Sequence, residues 1–187
     1  MNIKIFWNSI DRLNFILIFI LGLLGVMLSF TVDQNLLFIN RHTVFFIIGM
    51  LIILFLSQQN NKNIRRIALF GFIILIILLI SLYFFEYEVK GSKRWLRILS
   101  FSFQPSEVVK PFFIILTSWG ISQSIKGKKY FLLVTFVSFL ALILLIFLQP
   151  DLGMTILIAS TFFCQLFVAG LPMMLVLYGL ALILSLS

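Results

Sequence analysis

The sequence predicts an all-α polytopic membrane protein, with about seven transmembrane helices in 187 residues. Three observations predict it. Apolar residues make up 62% and charged residues 11%, against about 45–50% and about 25% in soluble domains. Mean hydropathy is +1.19, so the solvent for most of this surface is lipid. The apolar residues also fall in long runs divided by short polar breaks, as helices crossing about 30 Å of hydrocarbon require. A soluble globular domain and a disordered chain are both excluded.

Residues 1–12 are a short mixed head containing Lys4, Asp11 and Arg12. Leu13–Phe30 follows, 18 residues without a charge. It is too long for a signal peptide and lacks the small-residue cleavage site, so it reads as the first span. A polar break runs from Thr31 to His42. Thr43–Leu56 has only 14 residues, but adding Leu36–Ile39, with Arg41 snorkelling to the headgroups, makes a second span. Ser57–Arg66 is a polar, basic loop, and Ile67–Phe85 is the third span. Residues 86–103 form the longest non-apolar stretch. Ser106–Ser122 is the fourth span, Gln123–Lys129 a tight basic turn, Tyr130–Leu148 the fifth span and Leu152–Ala169 the sixth. Pro172–Ser187 opens a seventh and ends inside an apolar run, so residues 1–187 are expected to be the N-terminal part of a longer single transmembrane domain.

The formal charge is +8, from 14 Lys and Arg against 6 Asp and Glu. In a soluble chain that balance would suggest nucleic acid. Here cytoplasmic loops obeying the positive-inside rule account for it, and no nucleic-acid partner is expected. Alternating the spans places Lys4, Arg12, Lys62, Arg65, Arg66, Lys126, Lys128 and Lys129 on one side. Arg41, Lys90, Lys93, Arg94 and Arg97 fall on the other. The richer side is cytoplasmic, which puts the N-terminus inside. Four of the five opposing cations sit in the single loop 86–103 and need another reason to be there. Cys164 is the only cysteine and His42 the only histidine. An intrachain disulfide and a thiolate cluster are therefore excluded, and a histidine-based triad is disfavoured.

Gln104-Pro105-Ser106-Glu107 opens the fourth span and Gln149-Pro150-Asp151-Leu152 the sixth, both on the outer side of this topology. Each box reads as an ordinary helix start, with proline in the first turn and an acid facing the helix dipole. Each also places polar groups at one membrane surface. Glu107 and Lys110 are i,i+3 neighbours on one helix face. They form either a fold-fixing salt bridge or the floor of a substrate cleft, and the two roles are compatible. Asp151 has no local partner, so one must come from another helix or from loop 86–103. In that loop, Lys90, Lys93, Arg94 and Arg97 surround Gly91-Ser92, with Trp95 at headgroup level. The cluster suits anionic lipid headgroups or a bound pyrophosphate. Gly22, Gly25 and Ser29 form a small-residue stripe suited to helix packing, and Asn14 and Gln165 are read as interhelical hydrogen-bonders.

Three co-linear motifs carry a family resemblance: Lys90-Gly91-Ser92-Lys93-Arg94-Trp95, Phe103-Gln104-Pro105-Ser106-Glu107 with Lys110, and Gln149-Pro150-Asp151-Leu152-Gly153. In order, spacing and membrane placement the chain resembles the FtsW/RodA/SpoVE (SEDS) family of peptidoglycan polymerases, over essentially its whole length. Asp11-Arg12, Arg41-His42, Glu88-Val89-Lys90-Gly91, Lys110-Pro111 with Trp119, and Ala169-Gly170-Leu171-Pro172 resemble the cell-division branch in its alphaproteobacterial form. Two departures stand out. Ile98-Leu99-Ser100 replaces a usual Leu-Gly pair, and Met154 separates Gly153 from Thr155.

The resemblance implies a ten-helix bundle and polymerisation of lipid II in septal wall synthesis. The family's catalytic aspartate is expected beyond residue 187, so the fragment alone is expected to be inactive and Asp151 is not given that role. Arg94, Glu107, Lys110 and Asp151 are carried over as cleft residues, and Lys93, Trp95, Gln104 and Ser106 beside them complete the expected substrate-binding or cleft set. Pyrophosphate departure needs positive charge, from Arg and Lys or from a divalent cation such as Mg or Mn. The implied partners are a monofunctional class B penicillin-binding protein (a transpeptidase) and other divisome membrane proteins. The implied location is the septum of the bacterial inner membrane. A lipid II translocator, a non-catalytic divisome scaffold and an elongation-type polymerase are the alternatives.

Overall fold

The computed structural model describes residues 11–32, 36–83, 96–98 and 101–170. The described residues form six helices and one short hairpin: α1 (Arg12–Val32), α2 (Leu36–Ser57), α3 (Asn61–Ser81), β1 (Leu96–Ile98), β2 (Phe101–Phe103), α4 (Pro105–Ile125), α5 (Tyr130–Leu148) and α6 (Leu152–Val168). α1, α3, α4 and α5 are long and apolar enough to cross a membrane. α2 spans 22 residues, of which the apolar part is His42–Ser57, and α6 has 17. The chain is thus an all-α multi-pass membrane protein. The seventh span, at 172–187, lies outside the described residues, as does the side chain of Arg41.

Two units divide at Ile64. In the first, α1 packs on α2. Asp11 starts α1: its Oδ1 accepts the Asn14 N–H at 3.3 Å and its Oδ2 accepts Asn14 Nδ2 at 2.7 Å. Asn14, expected to reach another helix, is thereby engaged in a local cap, which satisfies a first-turn N–H that no intrahelical carbonyl can reach. The small-residue stripe divides by position. A Cβ at Gly22 would lie 2.1 Å from the Phe46 ring, whereas Gly25 has nothing within 4 Å. Ser29 is buried and donates to the Val26 carbonyl at 2.6 Å.

In the second unit, α4, α5 and α6 pack against one another, and α3 adds Leu75 and Leu79 to the same core. Lipid tails are as apolar as these side chains, so dispersion and buried hydrogen bonds hold such helices together rather than escape from water. The packing centre is aromatic. Phe139 stacks on Phe162 at 4.2 Å between centroids, with Phe113 6.4 and 6.2 Å from the two rings. One polar clamp crosses this core. Thr117 Oγ1 donates to Gln165 Oε1 at 2.7 Å, and Gln165 Nε2 donates to the Ile114 carbonyl at 3.1 Å. Gln165 is therefore the interhelical hydrogen-bonder expected, joining α6 to α4.

β1 and β2 pair antiparallel with Leu96 opposite Phe103, Arg97 opposite Ser102 and Ile98 opposite Phe101. Sequence reading left this stretch without regular structure. Strands of three residues carry too little alternation to be recognised, and their pairing comes from proximity rather than pattern. The hairpin has a positional consequence: β2 ends at Phe103 and the next residue, Gln104, is the N-cap of α4.

Candidate functional site

Two helix starts, those of α4 and α6, meet at one end of the second unit. At α4, Gln104 has an extended backbone (φ −107°, ψ 105°) and Pro105 takes the first helical position. Proline fits there because its missing N–H has no partner in the first turn. Gln104 makes no side-chain cap to its own helix. Its Nε2 donates instead to Ser106 Oγ at 3.0 Å and to Asp151 Oδ2, across to α6, at 3.5 Å. Ser106 is buried at 1% exposure. The partner foreseen for Asp151 from another element is thus provided by Gln104.

At α6, Asp151 is the N-cap, and its Oδ1 accepts the Met154 N–H at 3.2 Å. This is ordinary capping chemistry. It corrects one expectation: Pro150 is not in the first turn of the helix, because α6 begins at Leu152 after the aspartate cap. Gln149 is buried and its Nε2 donates to the Leu79 carbonyl of α3 at 3.4 Å. The Tyr83 hydroxyl donates to the Leu145 carbonyl of α5. The two Gln-Pro steps therefore tie different helices together: Gln104 joins α4 to α6, and Gln149 joins the α5–α6 junction to α3.

Glu107 and Lys110 form the expected pair, Lys110 Nζ lying 2.5 Å from Glu107 Oε2. The pair is not fully enclosed by the described residues, since the Glu107 side chain is 52% exposed and that of Lys110 22%. Its coupling is accordingly weaker than that of a desolvated pair. Gln104, Ser106 and Asp151 are brought into one cluster, with Glu107 and Lys110 on the first two turns of the same α4. Lys93, Arg94 and Trp95 lie outside the described residues. Sequence reading missed the anchoring bonds of Gln149, Thr117 and Tyr83. Their partners are main-chain or side-chain groups 48 to 70 residues away, with no local signature.

Among the described residues no three His, Cys, Asp or Glu side chains converge as metal ligands. Both Asp151 oxygens already accept hydrogen bonds. Cavities of about 420 Å³ beside Cys164 and Gln165 and about 280 Å³ beside Trp119 and Thr135 lie elsewhere. Neither is lined by Gln104, Glu107, Lys110 or Asp151.

The chain is 31% identical over 179 residues to a probable peptidoglycan glycosyltransferase FtsW of Caulobacter vibrioides, covering 90% of this chain and 46% of that protein. It is 29% identical over 191 residues to the peptidoglycan glycosyltransferase MrdB of Escherichia coli, covering 98% and 50%. The chain thus spans about half the length of these curated relatives. Its fold is that of the rod shape determining protein RodA of Thermus thermophilus, with a TM-score of 0.73 at 21% identity over 92% of this chain and 58% of that one. A chain of a peptidoglycan synthase complex that coordinates polymerization and crosslinking superposes equally, with a TM-score of 0.73 at 19% identity, covering 94% and 54%. The family model described as a cell cycle protein, FtsW/RodA/SpoVE, matches residues 4–187, and the chain belongs to that family.

Proposed function

We propose that this chain forms the N-terminal membrane half of a peptidoglycan glycosyltransferase that polymerises lipid II during septal wall synthesis. The observation that carries the reading is the meeting of the α4 and α6 starts, where Gln104 reaches Asp151 and Glu107 pairs with Lys110. The names of the FtsW and MrdB relatives support the same reaction.

In that reaction a carboxylate removes the proton of the acceptor sugar hydroxyl. The oxygen then attacks the anomeric carbon of the donor, and the lipid pyrophosphate leaves. The carboxylate that takes this proton is the aspartate that the family resemblance implies beyond residue 187. The groups of this chain bind and orient, and the leaving pyrophosphate is neutralised by the cations of loop 86–103. Arg94 makes the specific contact. It lies two residues before Leu96, whose strand partner Phe103 immediately precedes Gln104. The protein sits in the inner membrane with its N-terminus cytoplasmic and acts at the septum. Its partner is a class B penicillin-binding protein with one membrane helix, a pairing in keeping with the peptidoglycan synthase complex of similar fold.

The test uses full-length protein with its transpeptidase partner and fluorescent lipid II. A guanidinium recognises pyrophosphate as a planar fork, whereas a lysine offers a point charge. Arg94→Lys is expected to lower lipid II turnover at least about tenfold while Lys93→Arg changes it less than about twofold, because headgroup attraction alone would treat Lys and Arg alike. Equal, small effects from both would remove Arg94 from the site.

A further inference from the structure

We propose that Gln104 is a positioning residue, whose side-chain amide holds the Asp151 carboxylate in a fixed orientation at the junction of α4 and α6. The proposal rests on the polymerase reading above for what Asp151 then faces.

Asp151 caps its own helix through Oδ1, which accepts the Met154 N–H at 3.2 Å. A carboxylate held at one oxygen can still swing its other oxygen about χ2, a broad, roughly two-fold torsion. Gln104 Nε2 meets that second oxygen at 3.5 Å. The amide is itself held, because the same nitrogen donates to the Ser106 hydroxyl at 3.0 Å and Ser106 is buried. Its backbone is fixed as well, by Pro105 in the first helical position and by the Glu107 N–H, which donates to the Gln104 carbonyl at 3.1 Å.

The chemistry of the donor matters. A lysine or arginine in this place would add a cation and cancel the charge of Asp151 locally. A neutral amide orients the carboxylate and adds no charge of its own. The position also explains why Gln104, although an N-cap, does not cap α4. Its side-chain nitrogen is shared between Ser106 and Asp151 of the neighbouring helix. Gln104 therefore acts through Asp151.

The experiment is a double-mutant cycle in the full-length protein with its transpeptidase partner, in proteoliposomes supplied with fluorescent lipid II. Gln104→Met keeps the length of the side chain and removes the amide. Asp151→Asn removes the charge and keeps a good N-cap, so α6 retains its start. Asp151→Asn is expected to lower turnover at least about tenfold, Gln104→Met to lower it by that factor or less, and the double variant to stay within about twofold of Asp151→Asn alone. A merely structural role for Gln104 would make the two losses multiply, and that result overturns the proposal. So does an unchanged rate in Asp151→Asn. Melting temperatures of the same four proteins read the contact independently of catalysis. If the wild type makes no polymer, the polymerase reading fails, and the contact is judged by these temperatures: less-than-additive losses support it and additive losses overturn it.

Discussion

At the scale of single residues, legibility in the sequence followed separation along the chain. Glu107 and Lys110 were readable as a pair because i,i+3 residues share a helix face, and the structure places their charges 2.5 Å apart. The bond from Gln104 to Asp151 joins residues 47 apart, so only the three-dimensional meeting of α4 and α6 reveals it. Burial was not readable either. An ion pair inside a membrane helix suggests full desolvation, yet the described residues leave half of the Glu107 side chain uncovered. That exposure sets the expected magnitude. Glu107→Ala and Lys110→Ala should each destabilise, and thermal melting of both singles and the double should give a coupling of about 1 kcal/mol, rather than the about 3–5 kcal/mol lost on breaking a buried pair. A coupling indistinguishable from zero would show that the pair is not formed in the membrane.

At the scale of elements, the lipid solvent made the helices legible. Hydrocarbon tolerates no unsatisfied backbone, so a run of the right length and polarity has to be a helix. Tyr130–Leu148 was read with both ends as found, and the sixth span to within one residue. The pairing of β1 and β2 escaped because it is fixed by contact between two three-residue strands, not by periodicity. The small-residue stripe of α1 shows a subtler limit: spacing identifies the stripe, but only the neighbouring helix decides which member is in contact. Gly22→Ala should cost about 1–3 kcal/mol, since the Phe46 ring has to move away from the added methyl. Gly25→Ala should be neutral, or stabilising by up to about 1 kcal/mol, because its surroundings are open and alanine is the better helix former. Melting curves of the two variants in detergent check the contrast, and equal losses would contradict the packing of α1 on α2.

At the scale of the whole molecule, composition alone identified a polytopic membrane protein, and three short motifs in order identified the family. Composition could not distinguish polymerase from translocator, because both need an anion-binding loop and polar helix starts at one membrane face. In physical terms the two differ in whether the headgroup of lipid II is joined to another or carried across the bilayer. The most direct measurement therefore follows both events in one preparation: full-length protein with its transpeptidase partner, in proteoliposomes containing fluorescent lipid II. The account predicts glycan chains longer than one disaccharide, formed at a rate that Asp151→Asn lowers, with no protein-dependent change in the leaflet occupied by unreacted lipid II. Movement of the headgroup between leaflets without any glycan product would contradict it.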